Sequence, residues 1–393
     1  MRKIYLDHAA TTKVDGRVIQ KMIPYLSEVY GNANSQHFFG RDAQKAVDEA
    51  RDCIAKLIGA SASEIYFTSG GTEADNWAVR GIASVSGNKG KHIITSKIEH
   101  PAMLETCKQL QKEGFEVTYV DVDQNGIVNL EKLKEAIRPD TILISCMYAN
   151  NEIGTIQPIP EIVKIASEHK IPVFTDAVQA VPCMRIDVKQ LGVDMMSFSS
   201  HKFNGPKGVG VLYIRNGLKV GNLITGGHQE RTRRGGTTNV PGVVGMAEAL
   251  KLTWESLEKD VAYVTNLRNT FIKRVQEEIP FARLNGDLNK RIAGNAHFSF
   301  EFIEGESILF SLDMEGIAVS SGSACSSGSL EPSHVLLAIG VDIATAHGSI
   351  RFSFGKENTM EEVNYTVDKL KEIISRLRAM SPLYSISTKE RNL

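Results

Sequence analysis

Lys202 closes the run MMSFSSHK (195 to 202), so an amine is aimed beyond the end of an otherwise apolar strand. Ser199 and His201 stand beside it at the same strand end. Asp176 ends another candidate strand in PVFTDAVQA, with Gln179 one turn further on. A third strand end opens into Ser69, Gly70, Gly71, Thr72 and Glu73. Glycines there let a backbone approach an anion, and a helix start supplies free N–H groups. Each piece alone has an ordinary structural reading: a solvated lysine, a helix-capping aspartate, a Gly-rich capped turn. No Walker lysine follows the glycines, which argues against a nucleotide triphosphatase. Taken jointly, an amine for a Schiff base, a carboxylate for a protonated pyridine nitrogen and a cup for a phosphate describe pyridoxal phosphate.

The elements that must position these residues form an α/β pattern. Candidate strands fall at 64 to 69, 92 to 95, 116 to 122, 141 to 148, 172 to 176, 195 to 199 and 210 to 214. Helix-length amphipathic stretches near 73 to 85, 102 to 113, 130 to 137 and 160 to 169 lie between them, as crossovers of a mainly parallel seven-stranded sheet require. In such sheets ligands bind beyond the carboxyl ends of the strands, where the polar residues collect. The segment GGHQERTRRGGTTNVPG (226 to 242) is too rich in Gly and Arg to be an element and reads as a long functional loop. One long helix is expected over 243 to 278, then a smaller α+β region with strands near 296 to 302 and 349 to 354 and a last helix over about 359 to 379. The expected division is a large α/β domain at 15–257 and a small α+β domain at 258–393 that includes the N-terminal 1–14.

Composition narrows the class. With 393 residues, 42% hydrophobic and 23% charged, the chain can bury a large core. Forty-five Lys and Arg against 46 Asp and Glu leave no global field for nucleic acid or an anionic membrane. No apolar stretch has the ~18 residues of a spanning helix. The N-terminal apolar run stops at Asp7, too soon for a signal peptide, so a cytoplasmic protein is expected. Five scattered cysteines with no CxxC pair are expected to be reduced. Cys53, Cys107 and Cys146 read as core packing. Cys325 differs: from Ser320 to Ser329 every other residue is Ser, Gly or Ala, the composition of a flexible tether.

Ordered motifs run through the chain: YLDHAATT (5 to 12), YGNANSQH (30 to 37), TSGGTEADN (68 to 76), EHPA (99 to 102), ANNEIGTIQP (149 to 158), TDAVQA (175 to 180), SSHKFNGPKG (199 to 208) and SSGSACSSGSLEPSH (320 to 334). Together they resemble the pyridoxal-phosphate cysteine desulfurases of the NifS and IscS type, class V aminotransferases of fold type I. The resemblance implies that Lys202 holds the cofactor and becomes the proton-shuttling base. A lysine of ordinary pKa, ~10.4, is less than about 0.1% neutral at pH 7, so its site must depress that value. It further implies that Asp176 meets the pyridine nitrogen and that His100 stacks on the ring and handles protons. Asn151 and Gln179 would contact the ring oxygen, and Gly71, Thr72, Ser199 and His201 the phosphate. Arg351 would bind the substrate carboxylate through its planar fork, with Asn34 assisting. Thr237 would reach the phosphate of a neighbouring subunit in a homodimer.

By the same resemblance Cys325 is the nucleophile. Attack on sulfur needs a soft thiolate, and an ordinary thiol is only a few per cent ionised at pH 7. The implied activity is removal of sulfur from L-cysteine to give L-alanine and a persulfide on Cys325. An iron–sulfur scaffold protein or another sulfur carrier would accept it, and the persulfide would bring Cys325 into transient contact with iron–sulfur metal. Three alternatives stay open: a selenocysteine lyase, an aminotransferase of the same fold, and a non-catalytic sulfur-cluster scaffold. No nucleic acid or membrane partner is expected.

Overall fold

The computed structural model describes residues 2–321 and 331–384. Cys325 lies outside them. The seven expected strands pair into one sheet in the order Ile65–Thr68, Gly210–Ile214, Met195–Ser199, Val173–Asp176, Thr141–Ser145, His92–Ser96, Glu116–Val120. Every neighbouring pair is parallel except the two made by Gly210–Ile214, which is antiparallel to both its neighbours. The carboxyl ends before Ser69, Lys97, Cys146, Ala177 and Ser200 therefore share one edge of the sheet.

All of these strands but the edge strand Glu116–Val120 are buried along their whole length, as unbroken Val, Ile, Leu and Phe runs covered on both faces should be. Alternate residues divide between two apolar cores: Phe67, Ile144 and Phe198 on one face, Tyr66, Leu143 and Phe174 on the other. Helices Gly71–Val85, Pro101–Lys112 and Ile159–Glu168 follow the expected crossovers.

A third core gathers around a four-stranded sheet in the order Ser320–Ser321, Ser349–Ser353, Asn295–Phe300, Ala282–Leu284. Ile4–Tyr5 pairs with Ile317–Ala318 and carries the N-terminus to this core. No helix of the described residues is long and apolar enough to cross a membrane.

Two expectations need correction. The long helix over 243 to 278 is two, Val240–Glu255 and Leu257–Glu278. They break at Ser256, whose hydroxyl donates to Asp260 at 2.8 Å and lies 3.3 Å from the Leu252 carbonyl, offering the backbone an alternative to the helix's own bonds. The loop expected to run to 242 ends earlier, because the Asn239 side chain accepts from the Gly242 N–H at 3.1 Å and caps a helix that starts at Val240.

Candidate active site

Beyond the shared carboxyl edge lies a cavity of about 290 Å³. Ten residues singled out from the sequence line it: Gly71, Thr72, His100, Asn151, Asp176, Gln179, Ser199, His201, Lys202 and Arg351. Lys202 ends a single 3-10 turn after Met195–Ser199, and its Nζ donates to the carbonyls of Ala9 at 2.5 Å and Ala10 at 2.8 Å. The N-terminal segment thus forms one wall, and Gln179 ties to it through an Nε2 bond to the Ala9 carbonyl at 3.0 Å.

The cavity's titratable groups are strongly shifted. Asp176, the last residue of its strand, accepts from the Val178 N–H at 2.8 Å; burial pushes its carboxyl up to about 6, against the pull of that N–H and of Lys202. His100 caps helix Pro101–Lys112, its Nδ1 accepting from the Ala102 N–H at 3.1 Å, which leaves the ring proton on Nε2. Burial first, then Lys202 and His334, bring His100 down to about 4, so it is neutral at pH 7. His201 is brought down to about 4 by burial, Lys202 and Lys207, with Nδ1 3.1 Å from the Thr11 hydroxyl.

Arg351 occupies strand Ser349–Ser353, buried beneath the cavity. One terminal nitrogen donates to the Asn151 carbonyl at 3.0 Å and the other to Asp7 at 2.9 Å, while its buried Nε has no partner among the described residues. At the opposite wall helix Gly71–Val85 begins with no side-chain cap. Gly70 sits at φ 154°, and a Cβ on Gly71 would come within 2.9 Å of Val178 Cγ2, so only glycine leaves this corner open.

Two of the residues expected at the site lie elsewhere. Asn34 is exposed and lines a different groove, beside His228 and Thr238. Thr237 is exposed and outside the cavity. Cys325 is outside the described residues, but the chain flanking it is anchored nearby. Ser320 pairs with Arg351, His334 Nε2 lies 3.0 Å from the Glu99 carbonyl, and the Ser333 hydroxyl donates to Glu152. Sequence reasoning missed Asp75 and Met147, which also line the cavity. Asp75 stands three and four places after Thr72 and Gly71, on one helix face with them, and that spacing was the available signal.

The remaining cysteines are poor thiolates. Burial raises Cys107 to about 12, Cys183 to about 11, and Cys53 and Cys146 above the ordinary thiol value. Among the described residues no three His, Cys, Asp or Glu side chains are grouped to hold a metal ion.

A family model for class-V aminotransferases matches residues 4–366. The chain belongs to that family. The cysteine desulfurase IscS of Dictyoglomus turgidum is 54% identical over 381 residues, 97% of each chain. That of Methanosarcina thermophila is 51% identical over 382 residues, 97% of this chain and 94% of the other. Among solved structures, a NifS-like protein at 42% identity superposes with a TM-score of 0.91 over 96% of this chain and 100% of its own. SspA in complex with cysteine, at 36% identity, gives 0.81 over 91% and 100%. The fold is therefore that of the class-V aminotransferases, with their seven-stranded, mostly parallel sheet.

Proposed function

We propose that this class-V aminotransferase is a cysteine desulfurase that binds pyridoxal phosphate in the 290 Å³ cavity and passes sulfur from L-cysteine to Cys325. The observation that carries the reading is the convergence of Lys202, Asp176, His100 and Arg351 on one cavity, in a chain 54% identical to a protein of that name.

The residues present fit the cofactor. A buried carboxyl with a raised pKa suits a cationic ring nitrogen, and Asp176 supplies it. An uncapped helix start with a glycine corner suits a phosphate, and Gly71, Thr72, Ser199 and His201 surround that corner. When bound, the cofactor supplies an electron sink for the pair released at the substrate's Cα.

The protein's own side chains do the rest. Arg351, with an unpartnered Nε, holds the α-carboxylate. The Lys202 amine takes the proton from Cα and returns it, and the neutral imidazole of His100 holds a proton on Nε2 for exchange in the cavity. The Cys325 thiolate attacks the sulfur of L-cysteine: an S–S bond forms, the Cβ–S bond breaks, and Cβ gains a proton. Alanine leaves and Cys325 keeps a persulfide for a scaffold or carrier protein.

The proposal includes a cytoplasmic homodimer, with Thr237 completing a neighbour's phosphate site and Asn34 assisting substrate binding. The described cysteines are free thiols, in keeping with a reducing compartment. It also includes the division at 257/258, supported by the separate core around the four-stranded sheet.

The test compares the wild type with Cys325→Ala. Purified protein should be yellow, lose that colour to borohydride, and form alanine from L-cysteine. Cys325→Ala should keep the colour and lose alanine formation by at least about 100-fold. Unchanged turnover of cysteine in that variant overturns the reading in favour of a selenocysteine lyase or aminotransferase, and a colourless protein that takes up no pyridoxal phosphate favours a scaffold.

A further inference from the structure

The mechanism above uses one acid of the cavity, Asp176, and leaves a second unexplained. Asp75, inside helix Gly71–Val85, is 1% exposed and lines the same cavity as Asp176. Its Oδ1 accepts from the Ser197 hydroxyl at 2.6 Å. Ser197 is the residue directly paired with Asp176 across the parallel strands, so Asp75 is tied to the position beside Asp176, and the two residues line one cavity.

Two carboxyls buried in one site do not both ionise near neutral pH, because each charge lacks solvent and repels the other. Their surroundings decide which one keeps the proton. Asp176 accepts a backbone N–H from Val178 and feels the Lys202 cation. Asp75 has the Ser197 hydroxyl, and the titratable groups acting on it are two further acids, Asp176 and Glu99, with no cation among them. The charge therefore settles on Asp176 and the proton on Asp75.

We propose that Asp75 is a positioning residue for the cofactor: a neutral carboxylic acid that makes Asp176 the one carboxylate of the pair and so sets the hold on the cationic ring nitrogen. This rests on the pyridoxal-phosphate reading and deepens it. A cation placed beside Asp176 favours ionisation of Asp75 as well. Where Asp75 begins to lose its proton, that cation favours the loss, so affinity for the cofactor rises with pH relative to a variant that has no proton to release.

The experiment measures the dissociation constant of pyridoxal phosphate for wild type and Asp75→Asn from pH 7 to 9.5. Asparagine is neutral throughout, so the ratio of variant to wild-type constants should be close to one at pH 7 and grow at least about threefold by pH 9.5. A ratio already large at pH 7 and flat with pH means that Asp75 works as an anion and overturns the proposal. A ratio of one throughout means that it is idle and does the same. Should the variant fail to fold, the infrared carbonyl band of a protonated carboxyl decides in holoenzyme carrying Glu99→Gln and Glu152→Gln, which removes the two other buried acids raised to about 8 and about 7: it should be present at pH 7 and weaken as pH rises, and its absence at pH 7 sinks the idea. A wild type that takes up no pyridoxal phosphate refutes the cofactor reading itself, a different result from either ratio.

Discussion

Glu99 shows how much of the site's electrostatics lies one residue away from the conspicuous one. It precedes His100 and is 1% exposed, accepting from the Ser96 hydroxyl at 2.5 Å and from the Met147 N–H at 2.9 and 3.1 Å. Burial nonetheless pushes its carboxyl from 4.5 up to about 8. Across that window the folded chain holds a proton that the unfolded chain has released, so stability is present at low pH and is lost as pH rises toward 8. Each such proton is worth about 1.4 kcal/mol per pH unit. The buried histidines act in the opposite direction. His100 and His201 are held near 4 and His297 near 3, so they cost stability as pH falls below the ordinary histidine value of 6.5 and contribute nothing to the slope above it. Between pH 7 and 8 the acids alone set the slope. Urea unfolding at pH 7 and 8 should therefore show a decline for the wild type that is smaller by about 1 kcal/mol in Glu99→Gln. Parallel declines would show that Glu99 does not carry the proton. His100 came from the sequence only through the family resemblance of the motif EHPA; Glu99, beside it in that motif, was not singled out, because only burial makes a glutamate unusual.

At the scale of elements, legibility followed contrast in apolar content. The strands of the large sheet stand out as β-branched runs between turn residues. Helix Phe38–Leu57 does not, because half of its buried residues are alanine, at 43, 46, 50 and 55, which differs little from its polar neighbours in hydrophobicity. The loop at 226 to 242 was recognisable by composition, but its anchoring was not, because the partners are far apart in the chain. Glu230, Arg231 and Thr232 are three successive non-glycine residues at positive φ, 46°, 56° and 67°, each costing about 1–2 kcal/mol. A buried bidentate pair between Glu230 and Arg51, at 2.7 and 2.8 Å, holds the turn, with Glu230 also accepting from the Phe67 N–H at 3.0 Å. Arg231 stacks over Tyr66 at 4.4 Å, and Arg234 pairs with Glu73 at the start of the glycine-corner helix. Arg51→Met leaves Glu230 charged and unpaired, and chemical denaturation should register a loss of about 3–5 kcal/mol. Adding Glu230→Gln should recover a good part of it. A single variant as stable as the wild type would mean that the pair holds nothing.

For the whole molecule, Asn34 and Thr237 pose one question: both were assigned to a site that neither reaches in the chain that carries it. The proposed homodimer would answer it. Residues 19 to 39 expose Ile19, Ile23, Leu26, Tyr30, Phe38 and Phe39, with Leu26 and Tyr30 each 65% exposed, and the aromatic rings of Tyr30, Phe38 and Phe39 lie against one another. Such a cluster on a water-facing surface marks an interface. Asn34 lies within the same stretch, and it shares its groove with Thr238, next to Thr237. In the sequence only the family resemblance pointed to such an arrangement, because composition and periodicity of one chain say nothing of a neighbouring molecule. A composite site makes a sharp prediction for mixed dimers. Lys202→Ala lacks the amine but offers an intact Thr237, whereas Thr237→Ala has the reverse defect. Each dimer formed between them should contain one site with both residues and one with neither. After co-refolding in equal amounts, about a quarter of all sites should be whole, if pairing follows the two-fold symmetry of a homodimer. Alanine formation by the mixture should then exceed the mean of the two variants measured separately. Activity equal to that mean would assign Thr237 to its own chain's cavity, or to none, and would remove the exchanged residue from the account of the dimer.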